Sequence, residues 1–321
     1  MKKIFALLVI ILIAVSTPIF ASADSFKDLE KLALAGDATA QFNLALMYDQ
    51  GEGVTQDYVE AFKWYKKSAD QGLAAAQYNL GVMYAQGDGV PQDYLEAVKW
   101  YKKSAEQGIP EAQYNLALMY AQGQGVPQDY DEAFKWYKKA AEQGDAIAQS
   151  QLGFMYSQGQ GVPQNYVEAV KWYKKSAEQG HAEAQFNLGV IYGQDQGVTQ
   201  DFVEAIKWHR KAAEQGYAKA QSNLGLMYYH GHGVSQDYVE AIKWLTKAVD
   251  KGSVVGLYNL GVAYSEGHGV AKDYVMSYTW INLAAVQGLD EARKARDLLI
   301  KELTPEQVAE AQKLSRDFKV K

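Results

Sequence analysis

The chain repeats itself every 36 residues, and that period constrains its fold more than any other feature. GEGV at 51–54 returns as GDGV at 87–90, GQGV at 123–126 and 159–162, and GHGV at 231–234 and 267–270. At 195–198 the stretch reads DQGV. All seven tryptophans keep the same step: Trp64, Trp100, Trp136, Trp172, Trp208, Trp244 and Trp280. So do eight glycines, from Gly36 and Gly72 to Gly252 and Gly288. A fixed period of this length belongs to units that bury their apolar faces only by stacking on their neighbours. Seven full units run from Asp37 to Gly288.

Each unit reads as two helices, which makes the chain an all-α solenoid. In the third unit Ala112, Leu116, Met119 and Tyr120 form one apolar stripe over 110–122, and Gly123 stops the helix. The second helix starts at Asp129, with Glu132 three residues on as the other half of a capping box. The pair recurs as Asp57/Glu60, Asp93/Glu96, Asn165/Glu168, Asp201/Glu204 and Asp237/Glu240. A glycine-rich loop before a helix suggests a phosphate cradle, but here the first helical turn is acidic and repels phosphate. No G-x-x-x-x-G-K-[ST] completes the pattern. The glycines therefore serve a tight turn. Asp195 stands where other units carry the first glycine, and Asp accepts left-handed backbone better than most residues. That turn is expected to survive with modest strain.

The pattern A-x-A-Q-x-N-L-G-x-M-Y, then G-x-G-V, then D-Y-x-x-A-x-K-W-Y, resembles the Sel-one-like repeat (SLR) family, relatives of the tetratricopeptide repeats with a longer loop. In the second unit it is carried by Ala76-Gln77, Asn79-Leu80-Gly81, Met83-Tyr84, Gly87, Gly89, Asp93-Tyr94, Ala97 and Lys99-Trp100-Tyr101. The resemblance covers nearly all of 37–288. It implies an α/α superhelical solenoid of seven 36-residue helix-turn-helix repeats with a concave groove, and a scaffold or adaptor role toward proteins or peptides. The ends depart from the pattern. Residues 24–36 read as an N-terminal capping helix and 289–321 as C-terminal capping helices, the last opened by Thr304-Pro305-Glu306-Gln307.

Ahead of the repeats, Lys2 and Lys3 precede an apolar run from Ile4 to Val15 and an Ala21-Ser22-Ala23 cleavage pattern. This reads as a signal peptide over 1–23, cleaved near Ala23 to leave a periplasmic or secreted protein, and the run is too short to serve as an anchor across a bilayer about 30 Å thick. No membrane span is expected after cleavage. The chain has no cysteine, so packing alone holds it. Without the two leading lysines, 30 basic residues face 38 acidic ones, a balance unsuited to nucleic acid or anionic lipid.

On a helical wheel, Tyr114 and Leu118 point away from the core stripe of their helix. Their equivalents are Phe42/Leu46, Tyr78/Val82, Ser150/Phe154, Phe186/Val190, Ser222/Leu226 and Tyr258/Val262. In the arrangement the resemblance implies, this row lines the groove, where it either anchors an extended peptide or partner helix or packs between units. The asparagines Asn43, Asn79, Asn115, Asn187, Asn223 and Asn259 are expected to bond neighbouring loops, with a peptide backbone as the alternative. The tryptophans read as core. The pairs Lys66/Lys67, Lys102/Lys103, Lys138/Lys139 and Lys174/Lys175 read as a solvated outer stripe.

No catalytic pattern emerges. There is no G-x-S-x-G and no H-E-x-x-H, and no serine is followed three residues later by lysine. His230, His232 and His268 sit on adjacent loops with only Glu266 to join them, so no metal or cofactor is expected. A cysteine-rich secreted branch of the resembled family is associated with β-lactam binding and hydrolysis. That branch, extended to peptidoglycan, gives one alternative reading, and a secreted factor acting on host proteins gives another. The partner's identity and the oligomeric state are not legible in the sequence.

Overall fold

The computed structural model describes residues 23–318 other than Gln196, so the leader expected over 1–23 lies outside the described residues but for Ala23. Two compact units divide at Gln164, inside the fourth repeat. The first holds α1 (Ala23–Leu34), α2 (Ala38–Gln50), α3 (Tyr58–Asp70), α4 (Ala74–Gln86), α5 (Tyr94–Glu106), α6 (Pro110–Gln122), α7 (Tyr130–Glu142) and α8 (Ala146–Gln158). The second begins with α9 (Tyr166–Glu178), α10 (Ala182–Gly193), α11 (Phe202–Glu214), α12 (Ala218–His230) and α13 (Tyr238–Asp250). It continues through α14 (Val254–Glu266), α15 (Tyr274–Val286), α16 (Asp290–Leu299), a 3₁₀ turn at Ile300–Glu302 and α17 (Pro305–Asp317). Among the described residues there is no strand, and seven tandem helix-turn-helix repeats make an all-α solenoid.

The two helices of a repeat differ in what surrounds them. The first is apolar on nearly every side: α4 buries Ala75 to Met83 without a break, because α3 and α5 both pack on it. The second is amphipathic. α5 buries Ala97, Trp100, Tyr101, Ser104 and Ala105 and leaves Lys99, Lys102 and Lys103 outside. Glutamine, one of the quoted motif residues, ties each repeat to the one before. Gln77 Nε2 donates to the Ala69 carbonyl at 3.2 Å, while Gln107 Nε2 donates within its own repeat to Gln77 Oε1 at 2.7 Å and back to the Gly72 carbonyl of the first repeat at 3.0 Å. Gln113 and Gln221 repeat the first bond to Ala105 and Ala213. The Ala69, Ala105 and Ala213 carbonyls also accept the N–H of Gly72, Gly108 and Gly216, so each glutamine adds a second bond at a helix end.

The capping boxes expected on the second helices form by half. Asp57, Asp93 and Asp201 each accept two backbone N–H groups, but the glutamate does not reach back. The reason is that the cap residue's own N–H is already used: Asp57 N donates to the Tyr48 carbonyl at 2.8 Å and Asp93 N to that of Tyr84 at 2.9 Å. The glutamates turn to the lysine three residues on, as in Glu60–Lys63 at 2.6 Å and Glu204–Lys207 at 2.8 Å. Thr304 and Gln307 do form the full reciprocal box.

The turn glycines answer to two demands. The first of each pair caps the first helix in left-handed backbone, Gly87 at φ 84° for example. The second faces the preceding repeat: a Cβ on Gly89 would lie 2.1 Å from the Tyr58 carbonyl oxygen, and one on Gly125 2.3 Å from that of Tyr94. Close approach, as well as positive φ, reserves that place for glycine. The fifth repeat departs from this. α10 ends at Gly193, its cap is Gln194 in extended backbone (φ −122°, ψ 144°), and a Cβ on Gly197 would meet the Tyr166 side chain rather than a carbonyl. The cap expected at Asp195 has thus moved forward and lost its left-handed form.

At the two ends, α1 packs on α2, with Gln41 Nε2 donating to the Ala33 carbonyl at 3.0 Å. α17 folds back on α15, where Trp280 and Phe318 meet edge to face at 5.1 Å and Ser315 donates to the Thr279 carbonyl at 3.1 Å.

Candidate functional site

The aromatic row of the first helices is sealed in the first unit. Phe42 and Tyr78 are fully buried and Tyr114 nearly so, each against the tyrosine of its paired second helix. Ring centres stand 5.7 Å apart for Phe42 and Tyr65, 5.8 Å for Tyr78 and Tyr101, and 5.5 Å for Tyr114 and Tyr137. Their companions Leu46, Val82 and Leu118 are buried too. The expectation that these six face away from the core is corrected. A stacked first helix has its own second helix on one side and further units on another, so its wheel carries two buried stripes. Phe154 does face solvent, at 41% exposure.

The second unit is more open. Phe186, Val190, Leu226, Tyr258 and Val262 are all half-buried. The residue opposite the row changes along the chain: Tyr65, Tyr101, Tyr137 and Tyr173 give way to His209, Leu245 and Ile281. Phe186 packs on His209 at 5.5 Å and on Tyr217 at 5.4 Å.

Beside His209 lies a cavity of about 190 Å³, walled by Val190, Leu226, Met227 and Phe202, with Asn223 and His232 also lining it. Gly193 and Gln194 border it, so the shortened end of α10 forms part of its edge. His209 is 3% exposed and its Nδ1 has no hydrogen-bond partner. Burial holds its pKa down at about 4, so the imidazole is neutral at physiological pH and offers a nitrogen to whatever enters. The same physics pushes the Tyr101 and Tyr137 hydroxyls well up, and they stay neutral.

The asparagines do not bond loops as expected. Asn115 Nδ2 donates to the Tyr78 hydroxyl of the preceding repeat at 3.4 Å, and Asn259 Nδ2 to the Val255 carbonyl of its own helix at 2.8 Å. Trp64, Trp100, Trp136, Trp208 and Trp244 are buried, while Trp172 and Trp280 are half-buried. The outer lysines have a second role that the charge pattern concealed. Lys67, Lys103, Lys139 and Lys175 each hold Nζ over the tryptophan three residues earlier, 3.8–4.1 Å from the ring centre. The spacing W-x-x-K was the available signal. The histidines of the sixth and seventh repeats are engaged in ring contacts. His232 stacks on Phe202 and His268 on Tyr238, and His268 Nδ1 lies 2.8 Å from the Tyr229 hydroxyl and 3.0 Å from Glu266 Oε2. Among the described residues no three His, Cys, Asp or Glu side chains converge as a metal ion needs.

The Sel1 repeat profile matches seven times in succession, over 38–73, 74–109, 110–145, 146–181, 182–217, 218–253 and 254–289. The chain belongs to the Sel1 repeat family. A Sel1 repeat protein from Oxalobacter formigenes is 33% identical and superposes with a TM-score of 0.69, over 86% of this chain and 80% of that one. A protective antigen of uropathogenic Escherichia coli strains, displaying an SLR fold, is 31% identical with a TM-score of 0.46, over 91% of this chain and 78% of its own. No curated protein matches significantly. Sel1 repeats make a scaffold suited to protein–protein contact, and among the described residues no helix is long and apolar enough to cross a membrane.

Proposed function

We propose that this chain is an exported, non-enzymatic scaffold that holds a peptide or partner protein on the first-helix face. Residues 24–36 and 289–321 close the two ends of the repeat array. The contact residues lie where the row is accessible, at Phe154 in the first unit and at Phe186, Val190, Leu226, Tyr258 and Val262 in the second. The observation that carries this reading is the cavity beside His209: apolar walls, one neutral and unpartnered nitrogen, and room for a single side chain. Such a place receives an apolar anchor of a partner, while neighbouring half-buried side chains exclude water around it.

A photo-crosslinking residue at Leu226, with a control at Lys243 on the outer helix, tests the docking face in cells producing the full chain. A discrete adduct at 226 and none at 243 is the expected result. No adduct at 226 in a chain of native helicity sinks the reading. Export is checked separately by N-terminal sequencing of protein recovered outside the cytoplasm. The expected start is Asp24, and a cytoplasmic chain beginning at Met1 would exclude export.

A further inference from the structure

The turn between α2 and α3 and the end of α4 enclose a second cavity, of about 430 Å³, within the first unit. Asp49 and Asp88 both line it, as do Tyr58, Gln56 and Asn79, and no lysine or arginine does. Asp49 is the one acid at its place in the repeat, and Asp88 shares its acidic character with Glu52 of the first repeat alone. At the place of Asp49 later units carry Ala85, Ala121 and Ser157; at the place of Asp88 they carry Gln124 and Gln160. Asp49 is half-buried and accepts a hydrogen bond from the Tyr65 hydroxyl at 3.2 Å. Burial, joined by the nearby charge of Asp88, raises its pKa. Two carboxylates thus share a recess with no cation to offset them.

An independent observation comes from Asn79. It is 1% exposed, it lines the cavity beside the Tyr65 hydroxyl, and neither Nδ2 nor Oδ1 has a hydrogen-bond partner of good geometry. Leaving a buried amide empty on both sides costs free energy that a bound polar group returns. Gln56 Nε2 donates to the Asp49 carbonyl and to the Tyr58 hydroxyl at 2.7 and 2.9 Å, which fixes the wall and stations the Tyr58 ring at its mouth. An aromatic face and two carboxylates are the surroundings that a guanidinium or ammonium prefers. A bare metal ion fits poorly, since calcium takes six to eight oxygens at about 2.3–2.6 Å.

We propose that this cavity binds a lysine or arginine side chain of a partner polypeptide between Asp49 and Asp88, with Asn79 taking up the remaining donor or a backbone group. The proposal rests on the docking reading above and adds a charge to what docks. Random nine-residue peptides displayed on phage and panned on the full chain provide the test. A fixed Lys or Arg position should emerge, and the selected peptides should bind at least tenfold more weakly to D49A/D88Q. Those two substitutions install the residues that the following repeats carry at the same places, so folding is preserved. A charge control, E106Q/E142Q, removes two exposed acids elsewhere and should stay within twofold of wild type. Selected peptides without a cation, no enrichment, or equal weakening by both double variants would each overturn the proposal. Failure here with a Leu226 adduct intact removes the cation pocket and leaves the docking face standing.

Discussion

The second and fifth repeats share one sequence pattern yet present different surfaces. In the second, Tyr78 lies sealed under Tyr101, and Gly81 lets that ring approach so closely that a Cβ there would stand 2.7 Å from it. In the fifth, Phe186 is half-buried, Gly189 makes the same allowance for His209, and a cavity remains beside the smaller ring. A change from phenol to imidazole, together with the shortened end of α10, separates a closed wall from a receptive one. The fold is carried by the glycines, glutamines and alanines that both repeats share, and the surface is set at a few positions where they differ.

The largest effect that tests this contrast concerns the turns. Gly125→Ala places a methyl 2.3 Å from a backbone oxygen at φ 71°, and it should cost about 4 kcal/mol in urea unfolding, combining overpacking with strain. Gly197→Ala, in the repeat whose turn is already altered, meets only the Tyr166 side chain and should cost about 1 kcal/mol. Equal costs would mean that the fifth turn is as tightly fastened as the rest.

Next in size is a pH effect confined to the open repeat. Unfolded histidine takes up its proton near pH 6.5, whereas folded His209 holds out to about 4. Lowering pH through that window favours the unfolded chain, by about 3 kcal/mol at its acid end. The stability is fully present above pH 6.5. His209→Tyr should abolish this component of the pH profile, and Tyr101→His should introduce one like it. A melting profile unchanged by His209→Tyr between pH 6.5 and 4 would show that the imidazole is not buried in solution.

The smallest effect should be the same in both units. Lys139→Gln and Lys247→Gln each remove a cation above a tryptophan, at 4.0 and 4.1 Å, and should cost about 0.5–1 kcal/mol by chemical denaturation. A difference between them would show that the outer faces, too, have diverged.

The helices, their order and the capping aspartates could be read from the sequence because a period of 36 residues repeats the same local chemistry seven times. The surface could not, for reasons visible at particular residues. Tyr78 and Tyr114 look outward on a wheel drawn for one helix, but the wheel omits the second helix that covers them. Glu60 sits at the right spacing for a capping box, yet Asp57's N–H is committed to Tyr48, a bond that joins two helices and leaves no mark in the spacing. Asn79 matches the other asparagines in sequence, and only the burial around it shows that its amide goes unused. Asp49 and Asp88 could have been singled out by comparing the repeats column by column, since each stands where the next repeats carry an uncharged residue.

From the second repeat on, the second glycine of each regular turn clears a carbonyl of the repeat that precedes it. A duplicated stretch of 36 residues therefore brings its own fastening to the unit ahead, and offers the same carbonyl to the unit behind. Arrays of this kind can lengthen or shorten over generations by whole steps without inventing a new joint, while the terminal helices are kept as they are. A deletion out of step with that length would part a glycine from the oxygen it clears and leave two units that no longer mate.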